Sequence, residues 1–120
     1  FVGVRGLTTK NQLRRFAKVL KEYSGISSYH FSDWFDAFDA LQDYLEHLPA
    51  DRKRIVFIDE MPWMDSGRSN FVVALENFWN GWAMSHRFCH FLDEGQIGWK
   101  QGRTSCPGHM PAASCTFYVA

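Results

Sequence analysis

The sequence predicts an α/β fold: a parallel sheet with flanking helices, followed by an irregular C-terminal tail. Three observations lead there. Ile55-Val56-Phe57-Ile58 is a run of four apolar residues, three of them β-branched, and it ends in Asp59-Glu60. Such a run suits a strand buried on both faces, as in the centre of a parallel sheet. Apolar residues also recur at helical spacing on both sides of it. Finally, 46% of the residues are hydrophobic and 22% charged, a balance that folds rather than staying disordered.

Taken in order, Leu13, Phe16, Ala17 and Leu20 define a helix over about residues 9–22. Thr8 stands at its N-cap and Tyr23-Ser24-Gly25 at its end. Trp34, Phe38, Leu41, Leu45 and Leu48 step by four and three and define a second helix over about residues 33–48. Ser32 or Asp33 would cap it, and Pro49 stops it. The strand follows, then a turn containing Pro62 and Gly67. Phe71, Leu75, Phe78 and Trp82 define a third helix over about residues 70–83, with Ser69 as its N-cap. From Cys89 onward the periodicity is lost. Gly95, Gly98, Gly102, Gly108, Pro107 and Pro111 interrupt every candidate element.

Composition narrows function. Lys+Arg and Asp+Glu number 13 each, which excludes a strongly basic nucleic-acid module and an acidic tail protein, though not a local charged patch. No apolar run is long enough to span a membrane. No secretory leader is visible, and the first residue is Phe1, so the chain reads as an internal fragment. Its three cysteines, Cys89, Cys106 and Cys115, all fall in the last third. An odd count argues against a disulfide framework and for a reduced, cytoplasmic protein.

The strongest chemical signal is the acidic end of the strand. A buried strand closed by two carboxylates is the Walker B arrangement of P-loop NTPases. Ligands of open α/β sheets bind at the carboxyl ends of strands. Asp59 would hold Mg²⁺ through water, and Glu60 would orient and polarise the attacking water. The bland alternative is that both merely solvate a strand-to-helix turn.

Longer blocks favour the nucleotide chemistry. Phe57-Ile58-Asp59-Glu60-Met61-Pro62-Trp63-Met64-Asp65, Ser69-Asn70-Phe71, Ala74-Leu75-Glu76-Asn77-Phe78-Trp79-Asn80-Gly81-Trp82 and the upstream Ser32-Asp33-Trp34-Phe35-Asp36-Ala37-Phe38 resemble a family of prokaryotic AAA+-like ATPases, the archaeal-type ATPase family. The resemblance covers most of residues 1–88. It implies a partial P-loop NTPase domain that binds and hydrolyses ATP with Mg²⁺, with Asp59 and Glu60 in the Walker B roles. It leaves room for a homo-oligomer. Pro62, Trp63, Trp79 and Trp82 match family positions, and packing is the preferred role for them. Arg68 could touch a neighbouring nucleotide, against the plainer role of a solvated loop arginine.

One part is missing. The P-loop pattern G-x-x-x-x-G-K-[ST] does not occur in these 120 residues. Gly3-Val4-Arg5-Gly6 has the wrong spacing and no Lys-Ser or Lys-Thr after it. In the family that loop precedes the segment matching Phe1. Without its N–H groups and lysine, Mg²⁺–ATP should bind weakly at best.

Residues 89–120 match nothing in the family. Zinc is one expectation there, through Cys89, His90, Cys106, His109 and Cys115. Another is a shifted reading frame. Permitted codons read one base later give an Ala-Thr-Ser-Trp-Met string that resembles the family's next block. A non-catalytic helical interaction module is the remaining alternative.

Overall fold

The computed structural model describes residues 1–49, 56–83, 89–93 and 115–119, the last two segments by their backbone. Three helices make the body: α1 (Thr9–Ser24), α2 (Trp34–Glu46) and α3 (Phe71–Gly81). They lie close to the spans that periodicity predicts, with α2 and α3 each shorter at both ends.

Each helix starts and stops for a local reason. Thr8 Oγ1 accepts the Asn11 N–H at 3.3 Å, and Gly25, at φ 72°, closes α1 with its own N–H on the Lys21 carbonyl at 2.9 Å. Glycine suits that left-handed position because it has no Cβ to clash. Asp33 Oδ1 accepts the Asp36 N–H at 2.9 Å, and Asp36 Oδ2 reaches back to the Ser32 N–H at 3.0 Å. This is the reciprocal logic of a capping box, displaced by one residue. At α3 the cap differs from expectation: Asn70 holds the N-cap position in a left-handed conformation, while Ser69 Oγ accepts the Phe71 N–H at 3.2 Å from one residue earlier.

The apolar stripes meet in an aromatic core. Leu13, Phe16 and Leu20 of α1, Trp34, Phe38, Leu41 and Leu45 of α2, and Phe71, Leu75 and Phe78 of α3 are all buried, with Trp82 just beyond. Phe38 stacks on Phe78 at 5.4 Å, and Trp34 meets Phe71 edge-on at 4.9 Å. Phe16 lies edge-on to Trp34 at 5.7 Å and to Phe1 at 5.2 Å. Offset and edge-to-face pairs of this kind are worth about 0.5–1.5 kcal/mol each beyond the area they bury.

Among the described residues the predicted parallel sheet is not formed. Among the described residues the body is helical, an isolated parallel bridge joins Val2 and Asp59, and Ile58 also holds a bridge position. The Asp59 N–H bonds the Phe1 carbonyl and the Gly3 N–H bonds the Asp59 carbonyl, both at 2.9 Å, while the Phe1 amine bonds the Phe57 carbonyl. The apolar run is therefore not a strand buried on both faces. Ile58 is 1% exposed, Val56 is half-buried and Phe57 is 37% exposed. Burial alternates along the extended backbone, as it does when successive side chains point opposite ways. Arg54 and Ile55 lie outside the described residues.

The tail also departs from expectation. Residues Cys89–Asp93 (β1) and Cys115–Val119 (β2) pair antiparallel, Cys89 opposite Val119 and Asp93 opposite Cys115. Thr116, Phe117, Tyr118 and Val119 are all strong strand formers, which accounts for the second strand.

Candidate site: an acidic turn at residues 59 to 64

The candidate site is built where the extended segment ends. Asp59 closes the parallel bridge, and its side chain turns forward so that Oδ1 accepts the Glu60 N–H at 2.8 Å. That bond fixes the carboxylate's rotamer and leaves its second oxygen without a hydrogen bond among the described residues. Asp59 and Glu60 are both half-buried.

Glu60 then reverses the chain. Its backbone sits at φ 56°, ψ 37°, in the left-handed region, and a short 3₁₀ turn, Met61–Trp63, follows with Pro62 in its first positions. The Trp63 N–H bonds the Glu60 carbonyl at 3.1 Å, and the Met64 N–H bonds the Met61 carbonyl at 2.9 Å. A left-handed conformation costs a residue with a Cβ about 1–2 kcal/mol. Only Glu60 and Asn70 among the described non-glycine residues adopt it, and asparagine tolerates it better. Met61 and Met64, 2% and 1% exposed, anchor the turn in the core and present Asp59 and Glu60 at its outer edge.

Two contacts from the N-terminal segment hold the turn. A Cβ on Gly3 would lie 2.5 Å from the Glu60 carbonyl oxygen and 3.1 Å from Met64 Cγ, so only glycine permits this approach. Gln12 of α1, fully buried, donates from Nε2 to the Val4 carbonyl at 2.7 Å and the Trp63 carbonyl at 3.2 Å, and accepts the Val4 N–H on Oε1 at 3.3 Å. One amide thus ties the N-terminal segment, α1 and the acidic turn together. Arg5 adds an outer contact, its guanidinium carbon 5.1 Å from the Trp63 ring centroid, in cation–π range.

Sequence reasoning did not single out Gly3 and Gln12. A signal for Gln12 was present, since it is four residues before Phe16 and shares the apolar face of α1. Asp59 and Glu60 lie where the extended segment passes into the 3₁₀ turn. Trp63 is half-buried and serves the Arg5 contact as well as packing; Trp82 is buried and Arg68 is exposed.

Of the tail's expected zinc ligands, Cys89, His90 and Cys115 fall on the described strands. In the β1–β2 ladder Cys89 and Cys115 stand at opposite ends, roughly 13 Å apart at the usual rise per residue. Cys106 and His109 lie outside the described residues. Among the described residues no group of three or more His, Cys, Asp or Glu side chains could hold a metal ion.

No protein-family model, no curated protein and no solved structure matches this chain.

Proposed function

We propose that the acidic turn is the Mg²⁺ and water-activating part of an ATP-hydrolysing site of the AAA+-like kind. The observation that carries this is Asp59-Glu60 at the carboxyl end of an extended segment, with Glu60 in a strained backbone conformation that turns the pair out of the core. Strain of this kind clusters at functional sites. The family resemblance of residues 57–65 and 69–82 supports the same chemistry.

The fit to each group differs. Asp59 offers one carboxylate oxygen beyond its bond to the Glu60 N–H, enough to accept from a magnesium-bound water. Mg²⁺, when bound, neutralises charge on the β- and γ-phosphates. Glu60 would accept a hydrogen bond from the attacking water and direct it at the γ-phosphorus, whose bond to the bridging oxygen of ADP breaks. The triphosphate itself has no G-x-x-x-x-G-K-[ST] cradle within these residues. The chain by itself should therefore turn over ATP negligibly, and a phosphate loop from outside these residues would complete the site. A cytoplasmic setting suits such a protein. No helix among the described residues is long and apolar enough to cross a membrane.

The test is a Mn²⁺ titration followed by amide NMR. The amides of Asp59, Glu60 and Met61 should broaden first, and Asp59→Asn should abolish the effect while the fold persists. Uniform broadening across all carboxylates would overturn the assignment. Phosphate release by the chain alone, lost on Glu60→Gln, would show that no cradle is needed.

A further inference from the structure

The turn that leads into α1 is built to place one residue. The Val4 carbonyl accepts the Leu7 N–H at 3.3 Å, which closes a four-residue turn over Arg5 and Gly6. Gly6 sits at φ 78°, the left-handed third position of a type II turn, where glycine fits without strain. Arg5 occupies the tip beside it and is exposed. The base of the same turn is held from the core. Buried Gln12 bonds both the N–H and the carbonyl of Val4, and its amide also reaches the Trp63 carbonyl.

The Arg5 side chain is held as well. Its guanidinium carbon lies 5.1 Å from the Trp63 ring centroid, and the Trp63 N–H is bonded to the Glu60 carbonyl. One buried amide thus fixes the backbone at both ends of the cation–π pair and sets the guanidinium on the turn that carries Asp59 and Glu60. A cation over a ring is held through its charge and keeps its N–H donors for another partner. Among the described residues no carboxylate forms an ion pair with Arg5. The turn therefore presents two carboxylates and a separately mounted cation.

We propose that Arg5 is a polyphosphate-binding residue, its guanidinium taking the outer phosphate oxygens of a metal-chelated polyphosphate that lies on the acidic turn. A bare anion would be repelled by Asp59 and Glu60, and a bare cation by Arg5. A polyphosphate chelated to a divalent cation satisfies both, and the planar fork of arginine matches its oxygens. Trp63 fixes where the guanidinium lies, and Gln12 acts only through Val4 and Trp63. The inference rests on the reading of the acidic turn as a metal-phosphate site and adds to it a cationic group carried by this chain.

Titration of the whole chain with magnesium tripolyphosphate, followed by NMR, tests it. The Arg5 Nε–H and Trp63 indole signals should shift together at millimolar ligand. Arg5→Ala should weaken binding roughly tenfold, about the loss of one charged hydrogen bond, and Arg5→Lys, which keeps the charge but not the fork, by less. Arg14→Ala, which removes an exposed cation from α1, should leave the affinity unchanged. If Arg5 only staples the turn, Arg5→Ala will lower stability without moving the affinity, and that result would overturn the proposal. The absence of any shift at Arg5 in the folded wild type, or an equal loss from Arg14→Ala, would overturn it too. The metal assignment fails separately. Mn²⁺ broadening at Asp59, Glu60 and Met61 should persist in Arg5→Ala. Its absence from the wild type, with tripolyphosphate still bound through Arg5, would remove the role of Asp59 and support that of Arg5.

Discussion

The helical body and the acidic turn are held in different ways. In the body, neighbours in sequence do the work: Thr8 caps α1, Asp33 and Asp36 cap α2, and side chains three and four residues apart form each apolar stripe. In the turn, the partners come from far along the chain. Gly3 makes room for the Glu60 carbonyl, Gln12 holds the Trp63 carbonyl, and Phe1 pairs with Asp59. The body tolerates local change at its surface and fails when its core is emptied. The turn depends on a few backbone atoms and should fail by loss of shape, without the body unfolding first.

The largest effect should come from emptying the shared core. Phe38 touches Phe16, Trp34, Phe71 and Phe78 within ring-contact distance. Phe38→Ala should cost about 3–5 kcal/mol and lower the unfolding midpoint of the whole chain in a single transition. A loss under about 1 kcal/mol would show that the three helices do not share one core.

The turn is tested next. Gly3→Ala forces a Cβ against backbone and should cost about 1–3 kcal/mol, with the largest amide shifts at residues 59–64 and little change in helix content. Gln12→Leu keeps much of the volume but leaves the Val4 N–H and the Trp63 carbonyl without their Gln12 partner, again about 1–3 kcal/mol by chemical denaturation. If shifts from either variant spread evenly over α2 and α3, the turn is not a separate unit.

A smaller and opposite effect is expected at Glu60. Glu60→Gly relieves the left-handed backbone but frees the unfolded chain, for a net gain of about 0.5–1 kcal/mol, while Glu60→Gln should leave stability almost unchanged. Equal effects of both would place any cost in the carboxylate and not in the backbone.

The smallest concerns the Phe1 amine, whose pKa is held below the ordinary α-amino value by burial, with the Asp59 carboxylate pulling the other way. Between its lowered folded pKa and the unfolded value near 8, the unfolded chain binds more protons, so this group makes stability rise with pH across that window. Below the window the penalty is fully present. Acetylating the amine should flatten this part of the pH profile.

How much was legible in the sequence follows the same division. The three helices, their core residues and the Thr8 and Asp33 caps could be read because each depends on spacing within a dozen residues. The parallel sheet could not be sustained: an apolar run reports that a segment is buried, not how many partners lie beside it, and Phe57 proves exposed. Asp59 and Glu60 were visible as chemistry. The left-handed backbone of Glu60 was not, because no glycine or asparagine marks it. The tail's second strand was readable from its β-formers, but the glycines and prolines before it obscured the signal.

The Val2–Asp59 bridge has a consequence for the order in which the molecule assembles. It joins residues 57 positions apart, whereas α1 and α2 each close their hydrogen bonds within a turn. Closing so long a loop costs chain entropy that is recovered only after the intervening helices have docked. The acidic turn should therefore be a late event in folding and an early one in unfolding. In native-state hydrogen exchange the Gly3 and Asp59 amides should exchange ahead of the Phe16 and Phe38 amides, so that the pair of carboxylates is dismantled and rebuilt many times within the lifetime of one folded core.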